Sequence, residues 1–202
     1  MWVAMGCEAS RSVTVEDKSR SQKVSNEERI ALTDLQVDVI RSTWPILAKD
    51  LTGNGCKLML EVFSAEPNIK KVFTNFRSMS NEALWRDLKF QEHGRRFMET
   101  VQLAAEHVED NDIDHSEVLM MLGAKHATLP GFDLQYLSAF SKAMERTWEA
   151  VLGEEYTDDV REAWSAVFEY INSKLRDGYL IYMEDKDSEG RELDAKTSSN
   201  HS

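Results

Sequence analysis

The chain has 202 residues and 42% hydrophobic side chains, enough for one domain of about 150 residues with a real core, plus polar tails. Its formal net charge of −12 argues against a nucleic-acid partner, because neutralising phosphates needs a basic face. No run of about 18 apolar residues occurs, so no membrane span is expected, and the opening MWVAMGCEAS lacks the apolar core of a signal peptide.

Residues 1–31 are Ser-rich, balance five Lys/Arg against five Asp/Glu, and show almost no apolar periodicity, so they are expected to be disordered. Thr33-x-x-Gln36 is a capping-box pattern and predicts a helix bearing Leu35, Val39, Trp44 and Leu47. Pro45 within it predicts a kink or the first turn of a second piece. Thr52-Gly53-Asn54-Gly55 reads as a break before a stripe of Leu58, Met59, Val62 and Phe63. Pro67 suits the first turn of a short helix running into Phe73, and residues 75–81 read as a polar loop. Over 82–108, Phe90, His93, Phe97, Val101, Ala104 and Val108 fall at three- and four-residue steps and predict one long helix. Asp110 to Asp114 is a polar break with candidate N-caps. The next helix carries Leu119, Leu122 and His126 and ends near Pro130-Gly131. Two long helices follow, one with Leu137, Phe140, Met144, Trp148 and Val151, the other with Val160, Trp164, Val167, Phe168, Ile171 and Leu175. The tail 184–202, with six acidic and three basic residues, is expected to be disordered. With only 3 Pro and 9 Gly and no strand pattern, the reading is an all-α globule over residues 32–183. Cys7 and Cys56 make neither a disulfide framework nor a zinc knuckle, which fits a reducing compartment.

His93 and His126 each sit in an apolar-striped helix. An imidazole nitrogen is a good iron ligand, and two helices presenting one each can hold a flat metal cofactor between them. Taken singly, a histidine on an apolar face is more often a hydrogen-bonded core residue, so the order of the surrounding parts decides. Phe73 lies six residues after Pro67 and Phe76 three further on; EHGRRF (92–97) and LGAKHATLPGF (122–132) follow. This order resembles the globin family over residues 32–183.

The resemblance implies the globin fold, seven to eight helices around one haem b (iron protoporphyrin IX), with His126 as proximal iron ligand and His93 as distal residue. It implies that Phe73 and Phe76 wall the haem, Phe73 stacking on the porphyrin. Phe97, Met59, Leu122, Phe132 and Leu137 would fill the rim. A proximal imidazole needs an acceptor for its other ring N–H, and a backbone carbonyl near Leu122 would serve. His93 can donate a hydrogen bond to a bound gas or ligate the iron itself. Arg96, one turn on, is either a base for a haem propionate or a solvated surface charge; Arg77 and Lys125 are weaker candidates. Phe97 stands where a small aliphatic residue is common, so it either narrows the distal pocket or is plain core. His107, His115 and His201 fall outside the constellation and are expected at the surface. The five tryptophans and Cys56 read as packing residues.

Residues 5–10, Met-Gly-Cys-Glu-Ala-Ser, fit M-G-x-x-x-[ST], a myristate acceptor at Gly6 with Cys7 placed for palmitate. An internal glycine is not a substrate, so either translation starts at Met5 or the anchor is absent. A single myristate binds membranes only marginally. Residues 6–23, with four basic and three acidic side chains, are too balanced for a polybasic patch, which leaves a lipid on Cys7 as the second signal. This combination resembles globin X, a membrane-associated relative of neuroglobin. It implies a hexacoordinate iron held by both histidines, in a cytoplasmic protein anchored to the inner face of the plasma membrane.

Three functions are carried forward. The first is reversible binding of oxygen, carbon monoxide and nitric oxide. The second is haem redox chemistry, either nitrite reduction or nitric oxide scavenging, or membrane-associated redox signalling; it requires a separate reductase, since no flavin or nucleotide domain is apparent. The third is an acylated helical adaptor without haem, against which the two histidines and the wall phenylalanines argue.

Overall fold

The computed structural model describes residues 32–109 and 115–199. Among the described residues the chain is all-α: α1 (Asp34–Leu47), α2 (Leu51–Ala65), α3 (Pro67–Val72), α4 (Asn81–Arg86), α5 (Leu88–Glu109), α6 (Ser116–Ala127), α7 (Leu137–Leu152) and α8 (Asp158–Ser199). Short 3-10 turns precede α2, α7 and α8.

Most helix starts follow from side-chain caps. The predicted capping box closes in both directions: Gln36 N donates to Thr33 Oγ1 (3.3 Å) and Thr33 N to Gln36 Oε1 (3.0 Å). Pro45 neither breaks α1 nor opens a second piece; it lies in the last turn, and the helix closes two residues later. The expected break at residues 52–55 falls earlier. Asp50 caps α2 by accepting from Gly53 N at 2.7 Å, and the Gly-Asn-Gly run forms the first turns of the helix. Asn54 then donates from Nδ2 to the Leu47 carbonyl at 2.8 Å, satisfying a buried acceptor at the end of α1. The single helix predicted over 82–108 is two: Asp87 ends α4, and its Oδ1 accepts from Phe90 N (2.9 Å) to start α5. Ser80 caps α4 in the same way. The 110–114 segment, with its predicted caps, lies outside the described residues.

At the C-terminal end α8 continues to Ser199, through most of the tail expected to be disordered. Residues 184–189 are exposed, so no packing carries them; Glu, Lys and Asp supply solubility, and no proline interrupts the ladder. One predicted core residue is also misplaced. Leu35 is 59% exposed, and α1 buries Ile40, Thr43 and Leu47 instead.

Of the five tryptophans expected to pack, Trp148 and Trp164 are buried and Trp44 is half-buried against Trp164, whereas Trp85 is 43% exposed and Trp2 lies outside the described residues. Trp148 and Trp164 meet edge to face at 5.6 Å, and the buried Trp164 Nε1 donates to Thr43 Oγ1 at 3.0 Å. Thr43 in turn donates to the Val39 carbonyl (2.7 Å), so a polar chain ties α8 to α1 inside the core. Cys56 is fully packed, and burial, with Asp50 nearby, pushes its thiol up to about 11, which leaves it inert.

Two backbone approaches set how the helices cross. Gly55 of α2 lies against the Gly94 carbonyl of α5, and a Cβ on Gly94 would fall 2.8 Å from Cys56 N. Gly123 of α6 lies against the Leu175 carbonyl of α8, and Gly178 of α8 against the Met120 carbonyl. These are the two most extensively packed helix pairs. The obstacle in each case is backbone, which cannot rotate away as a side chain would. Replacing Gly178 by Ala should therefore lower stability by about 3 kcal/mol, the upper part of the overpacking range, whereas Gly131→Ala, with open space around it, should cost only its backbone strain of about 1 kcal/mol. Chemical denaturation of the two variants checks the order.

Candidate functional site

Pro67 opens α3, and Phe73, one residue past its end, starts a turn in which Phe76 N donates to the Phe73 carbonyl (2.9 Å). The turn stacks the two rings at 5.7 Å. Phe76 is buried against Phe90 (5.5 Å), while Phe73 stays half-buried and meets the His93 ring edge to face at 5.1 Å. Phe63 supports this wall from behind, 5.4 Å from Phe73 and 6.0 Å from Phe90. Phe63 belongs to the predicted α2 stripe, but nothing in its spacing marked it as part of a site.

His93 is placed by α5, whose residue 94 is the glycine that lets the helix approach α2. His126 is placed by the last turn of α6, one turn after Gly123. Its Nδ1 lies 2.7 Å from the Leu122 carbonyl. A carbonyl only accepts, so Nδ1 carries the proton and Nε2 keeps its lone pair. Phe132 lies 4.9 Å from the His126 ring and is itself backed by Tyr179 (6.0 Å) and Tyr136 (6.1 Å).

Both imidazoles are held neutral. Burial pushes His93 down to about 4, with the nearby charges of His126 and Arg96 acting in the same direction. Burial lowers His126 too; its bond to the Leu122 carbonyl opposes this, and Lys125 adds to it. Neutrality is the form that ligates a metal. Two imidazoles cannot hold a bare ion alone, and among the described residues there is no group of three or more His, Cys, Asp or Glu side chains that could. The residues fit a metal whose remaining ligands come with it, in a flat apolar group seated against aromatic rings.

The other predicted residues divide. Phe97 is half-buried and stacks on Phe140 at 5.6 Å, which makes Phe140 a wall residue that the sequence pattern assigned only to the core. Leu122 is half-buried beside Gly123. Met59 and Leu137 are closed off from solvent in the core. Arg96 is exposed and bonds Glu92 through Nε (3.0 Å); Arg77 and Lys125 are also exposed. Outside the constellation, His115 is half-buried at the start of α6 rather than at the surface. Gly6, Cys7 and His201 lie outside the described residues, as does the side chain of His107. His93 also lines a cavity of about 420 Å³, together with Phe76, Leu88, Lys89, Glu92 and Arg96.

An all-helical fold that offers two neutral imidazoles, one from each of two helices, beside a wall of aromatic rings has the makings of a haem protein. The Globin profile matches residues 57–175, more than half of the chain, and the protein belongs to the globin family. Cytoglobin-2 of Danio rerio is 25% identical over 135 residues, covering 66% of this chain and 75% of that protein. Neuroglobin of Chaenocephalus aceratus is 23% identical over 156 residues, covering 77% and 97%. Among solved structures, a hexacoordinated heme protein from an anhydrobiotic tardigrade, at pH 4, superposes with a TM-score of 0.70 at 22% identity, covering 75% of this chain and 97% of that one. Globins bind haem, and bind oxygen and other gases there.

The depressed histidine sets a pH dependence for the haem-free protein. With its folded pKa near 4 against 6.5 when unfolded, the unfolded chain takes up the His93 proton first as pH falls. The stability this holds is full above about pH 6.5 and is lost progressively towards pH 4, by up to about 3 kcal/mol and less where water enters the cleft. Urea unfolding at pH 7, 5.5 and 4 should show this loss, and His93→Leu should reduce the slope.

Proposed function

We propose that this globin holds haem b between His126 and His93 and binds oxygen, carbon monoxide and nitric oxide in competition with its own distal imidazole. The observation that carries the reading is the bond from His126 Nδ1 to the Leu122 carbonyl, which fixes the tautomer and leaves Nε2 as the metal-facing atom. When bound, haem would supply a redox-active iron that imidazole nitrogens and diatomic gases can ligate, with His126 and His93 as the residues that would hold it. Phe73, Phe97 and Phe132 would exclude water around it. Arg96, exposed and shared with Glu92, can swing to a propionate at little cost.

His93 is the regulating group. Its low basicity keeps it unprotonated at neutral pH, so its lone pair is available to the iron. The tardigrade protein of similar fold is described as hexacoordinated, which agrees with this assignment. A gas must then displace His93, and apparent affinity falls by the fraction of molecules in which it has let go. That competition favours sensing or redox coupling over bulk transport. A second reading is reduction of nitrite or removal of nitric oxide with electrons from a separate protein; Lys89 and Arg96, which line the cavity beside His93, would attract an anion such as nitrite towards it.

The visible spectrum of the dithionite-reduced protein under argon tests the coordination. Sharp, resolved α and β bands are expected, collapsing to one broad band in His93→Leu, with gas affinity raised about tenfold or more. His126→Ala should lose haem on gel filtration. Absence of a Soret band after haem addition to the parent protein would sink the reading. The resemblance of residues 5–10 to the acylated start of globin X extends the proposal to Gly6 and Cys7: with translation from Met5, acylation there would hold a cytoplasmic protein on the inner face of the plasma membrane. Mass spectrometry of the N-terminal peptide from cells fed a myristate analogue should find the lipid on Gly6, and an unmodified peptide beginning at Met1 would exclude it.

A further inference from the structure

An electron is withdrawn from an indole far more easily than from a phenyl ring, and three of the tryptophans stand in one line through the core. Trp148 of α7 meets Trp164 of α8 with ring centroids 5.6 Å apart, and Trp164 lies 5.9 Å from Trp44 of α1. The line begins near the histidine cleft. Phe97, one turn after His93, lies 6.2 Å from Phe168, and Phe168 meets Trp148 at 5.9 Å. The surroundings of the three indoles are graded. Trp148 is sealed from solvent, and its Nε1 has no hydrogen-bond partner among the described residues. Trp164 is sealed too, but its Nε1 donates to Thr43 Oγ1 at 3.0 Å. Trp44 is half-buried and reaches solvent. Packing alone does not account for tryptophan at position 148, because a buried N–H without a partner is a cost that a phenylalanine there would avoid.

We propose that Trp148, Trp164 and Trp44 form an electron relay between the histidine cleft and the surface, and that it serves the reduction of hydroperoxides. The inference rests on the reading that haem lies between His93 and His126. Solvation sets the direction. A radical cation on Trp148 has apolar surroundings and nothing to accept from its N–H, so it is the least stable of the three. On Trp164 the Thr43 hydroxyl stabilises the charge; its own proton goes to the Val39 carbonyl (2.7 Å), which leaves a lone pair facing the indole. On Trp44 water stabilises the charge and takes up the indole proton. The oxidising equivalent therefore moves outward as electrons move inward. With hydrogen peroxide as the oxidant in the cleft, Trp148 gives up one electron and is refilled from Trp164, which is refilled from Trp44. The Trp44 cation loses its N–H proton to water, and the neutral radical is restored by a hydrogen atom from a small reductant of the phenol or ascorbate class. After two such passages the peroxide has gained two electrons and two protons, its O–O bond has broken, and it leaves as two waters. Two reductant molecules have each lost one hydrogen atom.

The test mixes the full-length, haem-loaded ferric protein with hydrogen peroxide. Freeze-quenched electron paramagnetic resonance should show a tryptophan radical, and a nitroso spin trap followed by peptide mass spectrometry should place the adduct on Trp44. Trp164→Phe keeps an aromatic ring in the middle of the line but removes the station. The Trp44 adduct should then fall about tenfold, and Soret absorbance should bleach faster under excess peroxide because the oxidising equivalents stay in the cleft. Trp148→Phe, which sacrifices no hydrogen bond seen among the described residues, should give the same pattern. It decides the matter if loss of the Trp164–Thr43 bond unfolds the first variant. Trp85→Phe removes an exposed tryptophan that lies off the line and should leave the Trp44 adduct within about twofold of the parent. A Trp44 adduct that persists in the relay variants overturns the proposal. So does a radical confined to Trp85, or to Tyr136 and Tyr179 beside Phe132. A Soret band without a Trp44 radical removes the relay alone, whereas no Soret band after haem addition removes the haem reading and the relay with it.

Discussion

The arrangement rests on backbone meeting backbone at two helix crossings. Gly55 against Gly94 brings α2 and α5 together with no side chain between them, and Gly94 follows His93 directly. Gly123 and Gly178 do the same for α6 and α8, one turn before His126. Each histidine is therefore carried by a helix whose height is set by main-chain atoms rather than by adaptable side chains. On the proposed reading, in which two imidazoles address one flat group, that precision is required, because packed interiors shift in discrete steps and do not deform continuously.

Around this frame the aromatic wall and the ionisation of the histidines have a common origin. Phe63, Phe73, Phe76 and Phe90 form one cluster of rings on the His93 side, and Phe132, Tyr136 and Tyr179 another beside His126. Apolar surroundings disfavour the charged imidazole, so the packing that would exclude water from a cofactor also keeps both histidines unprotonated. At His126 the bond to the Leu122 carbonyl adds direction: it opposes the lowering of basicity and orients the ring. His93 has no such carbonyl among its influences; only burial and neighbouring positive charge act on it. One histidine is held by a bond and the other is only enclosed, the difference that the proposed fixed and exchangeable roles would require.

The exterior beside His93 has a different logic. Glu92 takes up Arg95 and Arg96 on α5, and Arg77, Arg86 and Lys89 share their stretch of chain with Glu82 and Asp87, so this face carries both signs. Ion pairs of this exposed i,i+3 and i,i+4 kind add little to stability.

Much of this was legible in the sequence for reasons of period and short-range chemistry. The 3.6-residue repeat identified the all-α class, the capping box placed the start of α1, Pro67 the start of α3, and the Pro–Phe–Phe–His–His order the two imidazoles with their first wall. What the local pattern misread were features whose meaning is set by a distant segment. Gly53-Asn54-Gly55 looks like a break because glycine is a poor helix former, yet Gly55 sits in a helix to admit the carbonyl of Gly94, 39 positions on. Leu35 belongs to the apolar stripe by spacing, but α1 turns Thr43 inward to meet Trp164. Phe63 and Phe140 were ordinary stripe residues until the fold set them behind Phe73 and Phe97. Helix identity and ligand chemistry are properties of a few consecutive residues, so the sequence by itself determined them. Crossing distance and the neutrality of His93 depend on segments brought together by packing, and only the tertiary structure decided those.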